Sequence, residues 1–160
     1  MGKNQIALNI HLVEDDQVTA TLIKNTFSRN KNNSFNAYKS AEDYLRNRKT
    51  VPDVIIIDND LGVGMNGLEL TKQLQSKNNK TQIIFYSAGN SDIEKVALKN
   101  GVFEFITKGE EQSLFFLKNA IKHVRKIKRE EIDKKNSKLF ISFLILVLLI
   151  ILTVAFTLGS

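Results

Sequence analysis

The sequence predicts an open α/β fold, in which five parallel strands alternate with five helices in a doubly wound sheet, followed by one transmembrane helix. Three observations carry that reading. Short β-branched runs and segments of helical periodicity alternate five times along the first 128 residues, the order that builds a parallel sheet. The run Val54-Ile55-Ile56-Ile57 is apolar at every position, as in a strand buried on both faces. From Leu139 to Leu158 the chain passes without a charge, and those residues span about 30 Å as a helix, the hydrocarbon thickness of a bilayer.

Taken in order, Ile6, Leu8, Ile10 and Leu12 alternate with their neighbours and predict the first strand, closed by Glu14-Asp15-Asp16. Val18, Leu22, Ile23 and Phe27 recur at helical spacing, which predicts a helix from about residue 17 to 29. Ser34 to Tyr38 is a modestly apolar strand suited to a sheet edge, and Ser40-Ala41-Glu42-Asp43 caps a second helix carrying Tyr44 and Leu45. Pro52 breaks the chain before the central strand, which ends on Asp58. Leu68, Leu70, Thr71 and Leu74 mark a third helix. Residues 81–86 form the fourth strand, which ends at Ser87-Ala88-Gly89. Asn90-Ser91-Asp92 opens a fourth helix with Ile93, Val96 and Ala97, closed by Asn100-Gly101. Residues 102–106 are the last strand, ending at Thr107-Lys108-Gly109, and Leu114, Leu117, Ile121 and Val124 stripe the fifth helix. The chain divides into a domain of residues 1–128, a basic juxtamembrane linker of 129–138 and a transmembrane helix of 139–158.

Charge is concentrated in one place. Residues 118–138 hold nine Lys or Arg against three acids, a surplus equal to the chain's net charge of +6. The rest balances, which argues against a nucleic-acid-binding face on the globular part. Basic residues before an apolar span are the positive-inside signature. They predict a single-pass tail anchor with the N-terminal domain cytoplasmic, and lipid headgroups as partners of the basic segment. There are no cysteines, so disulfides and thiolate metal sites are excluded. Met1-Gly2 lacks the Ser or Thr at position six that myristoylation requires, and no signal-peptide core follows it. His11 and His123 have no partner at ligand spacing and read as structural or solvated. Phe115 and Phe116 read as core or dimer contacts.

The strand ends bring the chemistry together. Glu14-Asp15-Asp16 follow the first strand, Asp58 the third, Ser87 the fourth and Lys108 the fifth. If the strand order is 2-1-3-4-5, the first and third termini line one crevice. Clustered carboxylates repel unless a cation joins them, and oxygen ligands suit a hard divalent ion, Mg²⁺ above all. One carboxylate can then attack a phosphoryl group, with Ser87 and Lys108 holding the transferred oxygens. The blander alternative for Asp58 is a cap on the next helix.

HLVEDD, DVIIIDNDLG with MNGLEL, IIFYSA and FITK stand here in the order and spacing of a known family. Over roughly residues 5–128 the sequence resembles the receiver domain of two-component response regulators, whose sheet has the flavodoxin-like order 2-1-3-4-5. The resemblance implies Asp58 as phosphoacceptor, Glu14 and Asp15 as the acidic pair, and a backbone carbonyl of Asp60 as a further Mg²⁺ ligand. It implies Ser87 as the switch hydroxyl, Lys108 as the family lysine and Phe105 as the aromatic switch position. A histidine kinase or phosphotransfer protein is the implied phosphoryl donor, and a homodimer is an expected partner state. Any catalysis would be limited to self-phosphorylation and autodephosphorylation.

Three features depart from the family. Gly109 stands where proline usually follows the lysine. The 58–67 loop is one residue longer and has no proline, and Asp60 adds a carboxylate beside Asp58. Two other functions compete. A degenerate receiver would serve only as a membrane-bound interaction module, which the full set of acids, hydroxyl and lysine disfavours. Asp58-Asn59-Asp60 also has the form used by haloacid-dehalogenase-like phosphatases, but the other acids here precede the nucleophile rather than follow the lysine.

Overall fold

The computed structural model describes residues 6–76, 80–88 and 91–158. Its elements run β1 (Asn9–Val13), α1 (Gln17–Phe27), β2 (Ser34–Tyr38), α2 (Ala41–Asn47), β3 (Val54–Ile57), α3 (Gly67–Gln75), β4 (Gln82–Ser87), α4 (Ser91–Lys99), β5 (Glu104–Thr107) and α5 (Ser113–Leu158). The strands form one sheet in the order β2-β1-β3-β4-β5, and every neighbouring pair is parallel. The expected turn at Gly89-Asn90 and the N-terminal residues 1–5 lie outside the described residues.

β3 explains the arrangement. All four of its residues are buried. Because side chains alternate across a strand, Val54 and Ile56 join the core under α1 and α5, and Ile55 and Ile57 join the one under α2, α3 and α4. A strand with no polar face must lie between covered faces, and β3 has a neighbour on each side: Val13 pairs with Ile57 and Ile57 with Phe85. β2, at the edge, buries none of its residues fully.

The helices stand where the sequence reading has them, but their apolar periodicity exceeds their burial. In α1, Ile23 and Phe27 are buried, but Val18 is 77% exposed and Leu22 also faces out. A helix of that length packs one narrow stripe on a sheet, so four apolar positions at helical spacing are not all core. α4 repeats the pattern, burying Ala97 and leaving Val96 exposed. Phe115 and Phe116 are exposed on α5 and are not core residues. α5 buries Leu117, Ala120, Ile121 and Val124. The cap of α3 is Asn66, in a capping box with Glu69, so Asp58 is not spent as a helix cap. Likewise Asp16 is the N-cap of α1, accepting the Thr19 N–H at 2.7 Å.

The chain divides into two units, Met1–Arg125 and Lys126–Ser160. The first holds the sheet. The second is helical through its described residues, and nearly all its apolar side chains from Leu139 to Val154 are exposed. Residues 129–138, expected as a linker, belong to α5.

His11 is fully buried in β1, against Tyr38 and Tyr44 at 5.5 and 5.8 Å between ring centres. Its Nε2 lies 3.3 Å from the Thr50 hydroxyl. Burial first, then the Arg48 charge, lowers its pKa to about 4. The unfolded chain therefore takes up the proton first. This contribution to stability is complete above pH 6.5 and is lost as pH falls toward about 4, at no more than about 1.4 kcal/mol per pH unit. Urea unfolding of wild type and His11→Phe between pH 7.5 and 4.5 measures it. The difference between the two isolates His11 from the carboxylates, and wild type should lose stability relative to the variant as pH falls.

Candidate functional site

Parallel strands end at one edge of the sheet, and hydrogen bonds carry the ladder one residue past each end. The Glu14 N–H donates to the Tyr38 carbonyl at 3.0 Å, Asp58 N–H to Val13 at 3.0 Å and Lys108 N–H to Ser87 at 2.9 Å. Residues far apart in sequence are thereby brought together. Lys108 Nζ lies 2.5 Å from Asp58 Oδ2 and 2.9 Å from Glu14 Oε1, so it bridges the two acids. Glu14, Asp58 and Ser87 are buried, and Asp15 is exposed. These residues and Asp60 line an open cleft of about 630 Å³.

The cleft is electrostatically incomplete. Burial drives the Glu14 pKa up to about 7; the Lys108 hydrogen bond and charge oppose this, and the Asp58 charge adds to it. Burial works to lower the Lys108 pKa, but the hydrogen bonds it donates to Asp58 and Glu14, together with their charges, outweigh it and the net shift is upward. One lysine thus serves two buried carboxylates with a third beside them. Glu14 Oε2 is 2.7 Å from Nζ but misaligned for a hydrogen bond, and it has no hydrogen-bond partner.

A divalent cation fits this donor set. One oxygen each from Glu14, Asp15 and Asp58 lie within 4.8 Å of one another. All three are hard ligands of the kind Mg²⁺ takes, and Glu14 Oε2 accepts no hydrogen bond that would compete. Asp60 donates its backbone N–H to Asp58 Oδ1 at 3.2 Å, while its side chain is exposed and stands outside this trio.

The remaining predicted residues surround this centre. Phe105 is half-buried and stacks on Phe85, with ring centres 6.1 Å apart. Gly109 has φ +83°, which proline's ring forbids, so the departure at this position is built into the backbone. Two contacts were missed in the sequence. Tyr86 lies under Lys108, with Nζ 5.9 Å from its ring, and its hydroxyl is 3.1 Å from Ser113 Oγ at the start of α5. The second is Glu42, which accepts the Met65 N–H at 2.7 Å. In the sequence Glu42 marks only a helix start, and a partner 23 positions away carries no local signature.

The loop after Asp58 closes tightly at Gly67. A Cβ there would meet the Asp58 carbonyl oxygen at 2.4 Å and Asn59 Cα at 2.8 Å, both backbone atoms that cannot swing aside. Gly67→Ala should therefore destabilise by about 1–3 kcal/mol, as overpacking does. Gly109→Ala, with nothing within 4 Å of the added carbon, should cost only the torsional penalty of about 1–2 kcal/mol. Urea midpoints of the two variants check this, and distortion at Asp58 should accompany only the first.

Residues 10–119 match the family model of the response regulator receiver domain. Among solved structures, the non-phosphorylated HemR receiver domain from Leptospira biflexa aligns with a TM-score of 0.63 at 23% identity, covering 73% of this chain and 93% of that one. The receiver domain of the Francisella response regulator 1452 gives a TM-score of 0.63 at 23% identity, over 76% and 98% of the two chains. A signal receiver domain of a Luxo repressor protein from Vibrio parahaemolyticus gives 0.66 at 21% identity, over 79% and 97%. At these identities the structures establish the fold alone. No curated protein sequence matches the chain.

Proposed function

This chain belongs to the response regulator receiver domain family, and on that premise we propose that it accepts a phosphoryl group on Asp58 while held at a membrane by residues 139–158. The observation that carries the reading is the Lys108 bridge between Glu14 and Asp58, with Ser87 beside it, at the carboxyl edge of the sheet. Receiver domains take their phosphoryl groups from histidine kinases or phosphotransfer proteins, and a phosphohistidine is the donor this site would meet. An Asp58 carboxylate oxygen attacks phosphorus as the phosphorus–nitrogen bond breaks. The nitrogen keeps the electron pair and takes a proton. Lys108 turns from the carboxylates to the phosphoryl oxygens, and the Ser87 hydroxyl donates to another. Glu14, Asp15, Asp58 and the Asp60 carbonyl would hold Mg²⁺, which supplies the positive charge that lets an anionic phosphoryl group approach carboxylates. Phe105 follows Ser87 as the site rearranges, a local charge event that biases a two-state element.

The membrane half of the reading rests on α5. Among the described residues it is the one helix long and apolar enough to cross a bilayer. Its exposed apolar side chains from Leu139 to Val154 need cover that water does not give. The basic residues before them support a cytoplasmic receiver by the positive-inside rule and contact with anionic headgroups. Confinement to a surface raises local concentration, so weak self-association through α5 suffices for a homodimer.

Two measurements test the two halves separately. Intact mass after incubation with a small phosphodonor should gain one phosphoryl group in Mg²⁺ and none in chelator, and Asp58→Asn should gain none. Absence of any Mg²⁺-dependent adduct would leave an interaction module. The full chain should also stay with membranes through alkaline and high-salt washes, since an apolar span is not screened by salt. Deletion of residues 139–160 should release it, and release of the intact chain by salt alone would reduce the anchor to the basic segment.

A further inference from the structure

The 58–67 loop lacks proline and contains glycines at 62, 64 and 67. Such a segment loses more freedom on ordering than any other composition, so something must hold it. Its ends are tied close to Asp58. The Asp60 N–H donates to Asp58 Oδ1 at 3.2 Å, the Gly67 N–H to the Asn59 carbonyl at 3.0 Å, and the Leu68 N–H to Asn59 Oδ1 at 3.3 Å. Its middle is tied elsewhere. Glu42, in the first turn of α2, accepts the Met65 N–H at 2.7 Å, a short bond of the charge-assisted kind.

Gly64 fits that bond closely. It has φ +121°, and a Cβ on it would stand 2.8 Å from Glu42 Oε1 and 3.3 Å from Oε2, so the carboxylate lies flush against a residue with no side chain. The loop also passes beside Asp15. A Cβ on Gly62 would lie 3.7 Å from Asp15 Oδ2. Movement of this loop therefore moves the surroundings of both Asp15 and Asp58. The Glu42 pKa is lowered, chiefly by the Met65 hydrogen bond, so the carboxylate remains an acceptor at neutral pH.

We propose that Glu42 is a positioning residue of the phosphorylation site. By gripping the Met65 N–H against Gly64, it holds the 58–67 loop in the form that completes the cation site of Glu14, Asp15 and Asp58. The proposal rests on the reading of Asp58 as a Mg²⁺-dependent phosphoacceptor and adds to it a residue on another helix. Glu42 touches neither cation nor phosphoryl group; it acts through the loop backbone. Proline restricts a chain covalently, and here a carboxylate from α2 supplies a comparable restriction.

The test uses the full chain in detergent micelles and the variants Glu42→Ala and Glu42→Gln. Two readouts are taken, calorimetric titration with Mg²⁺ alone and hydrogen exchange of the Met65 amide. Alanine removes the acceptor, and it should weaken Mg²⁺ binding about tenfold, the lower end of what loss of an outer partner costs a metal site. Met65 exchange should accelerate about tenfold in the same variant, as expected for the loss of one hydrogen bond of ordinary strength. Glutamine keeps an acceptor oxygen in place, and both quantities should stay within about twofold of wild type. Faster Met65 exchange with unchanged Mg²⁺ affinity in Glu42→Ala would overturn the proposal, reducing Glu42 to a loop contact. Unchanged exchange would overturn it too. A wild-type chain that binds no Mg²⁺ would bring down the phosphoacceptor reading itself, a result distinct from either.

Discussion

Two carboxylates buried at the edge of an apolar sheet are the constraint that the rest of this structure satisfies. Glu14 and Asp58 sit at the ends of β1 and β3, with side chains almost out of water and one lysine between them. Burying charge costs several kcal/mol per ion, and folding tolerates that only where a partner is delivered with accuracy. Delivery here depends on the whole sheet. Lys108 comes from the end of β5, 94 residues beyond Glu14 and 50 beyond Asp58, and each strand between them must keep its register for Nζ to arrive. The site is thus a consequence of the ladder, and the ladder is held by the two cores on either face.

The geometry also separates acids that sequence alone leaves equivalent. Glu14, Asp15 and Asp16 stand side by side, yet Glu14 turns into the protein, Asp15 stays exposed beside it, and Asp16 closes the first turn of α1. The residue after a strand continues its alternation, whereas a residue two further on is free to begin a helix. Helix caps at Asp16 and Asn66 satisfy the neighbouring helices locally. Asp58 and Glu14 are left for Lys108, in a group with Asp15 that could hold a metal ion.

Burial in the second unit follows a different logic. Among the described residues up to 125, apolar side chains mostly find cover in the protein, and the exceptions are scattered residues such as Val18 and Val96 and the adjacent pair Phe115 and Phe116. From Leu139 to Val154 nearly every apolar side chain is exposed. Scattered exposed apolar residues are ordinary, whereas this stretch has the length and composition of a candidate membrane span. The charge distribution agrees, since the whole net positive charge lies in the stretch leading to that run.

The sequence by itself determined the order and type of the elements, because apolar periodicity and turn residues are local signals that do not wait for packing. It determined the identity of the central strand, since only a strand covered on both faces accepts four consecutive apolar residues. It also placed Asp58, Ser87 and Lys108 at strand ends. What it left open was decided by contacts between distant segments. Helical spacing of Val18 and Val96 marks the helices, but only the tertiary packing shows that α1 and α4 turn narrower stripes to the sheet. Local sequence allowed Asp58 to be a cap, and the capping box at Asn66 and Glu69 removed that role. His11 in its aromatic cage, Tyr86 under Lys108 and Glu42 on the Met65 N–H had no sequence signature, because each depends on a partner brought near only by the fold. Periodicity records which side of an element is apolar, and the distance between two side chains from different elements exists only once the sheet has assembled.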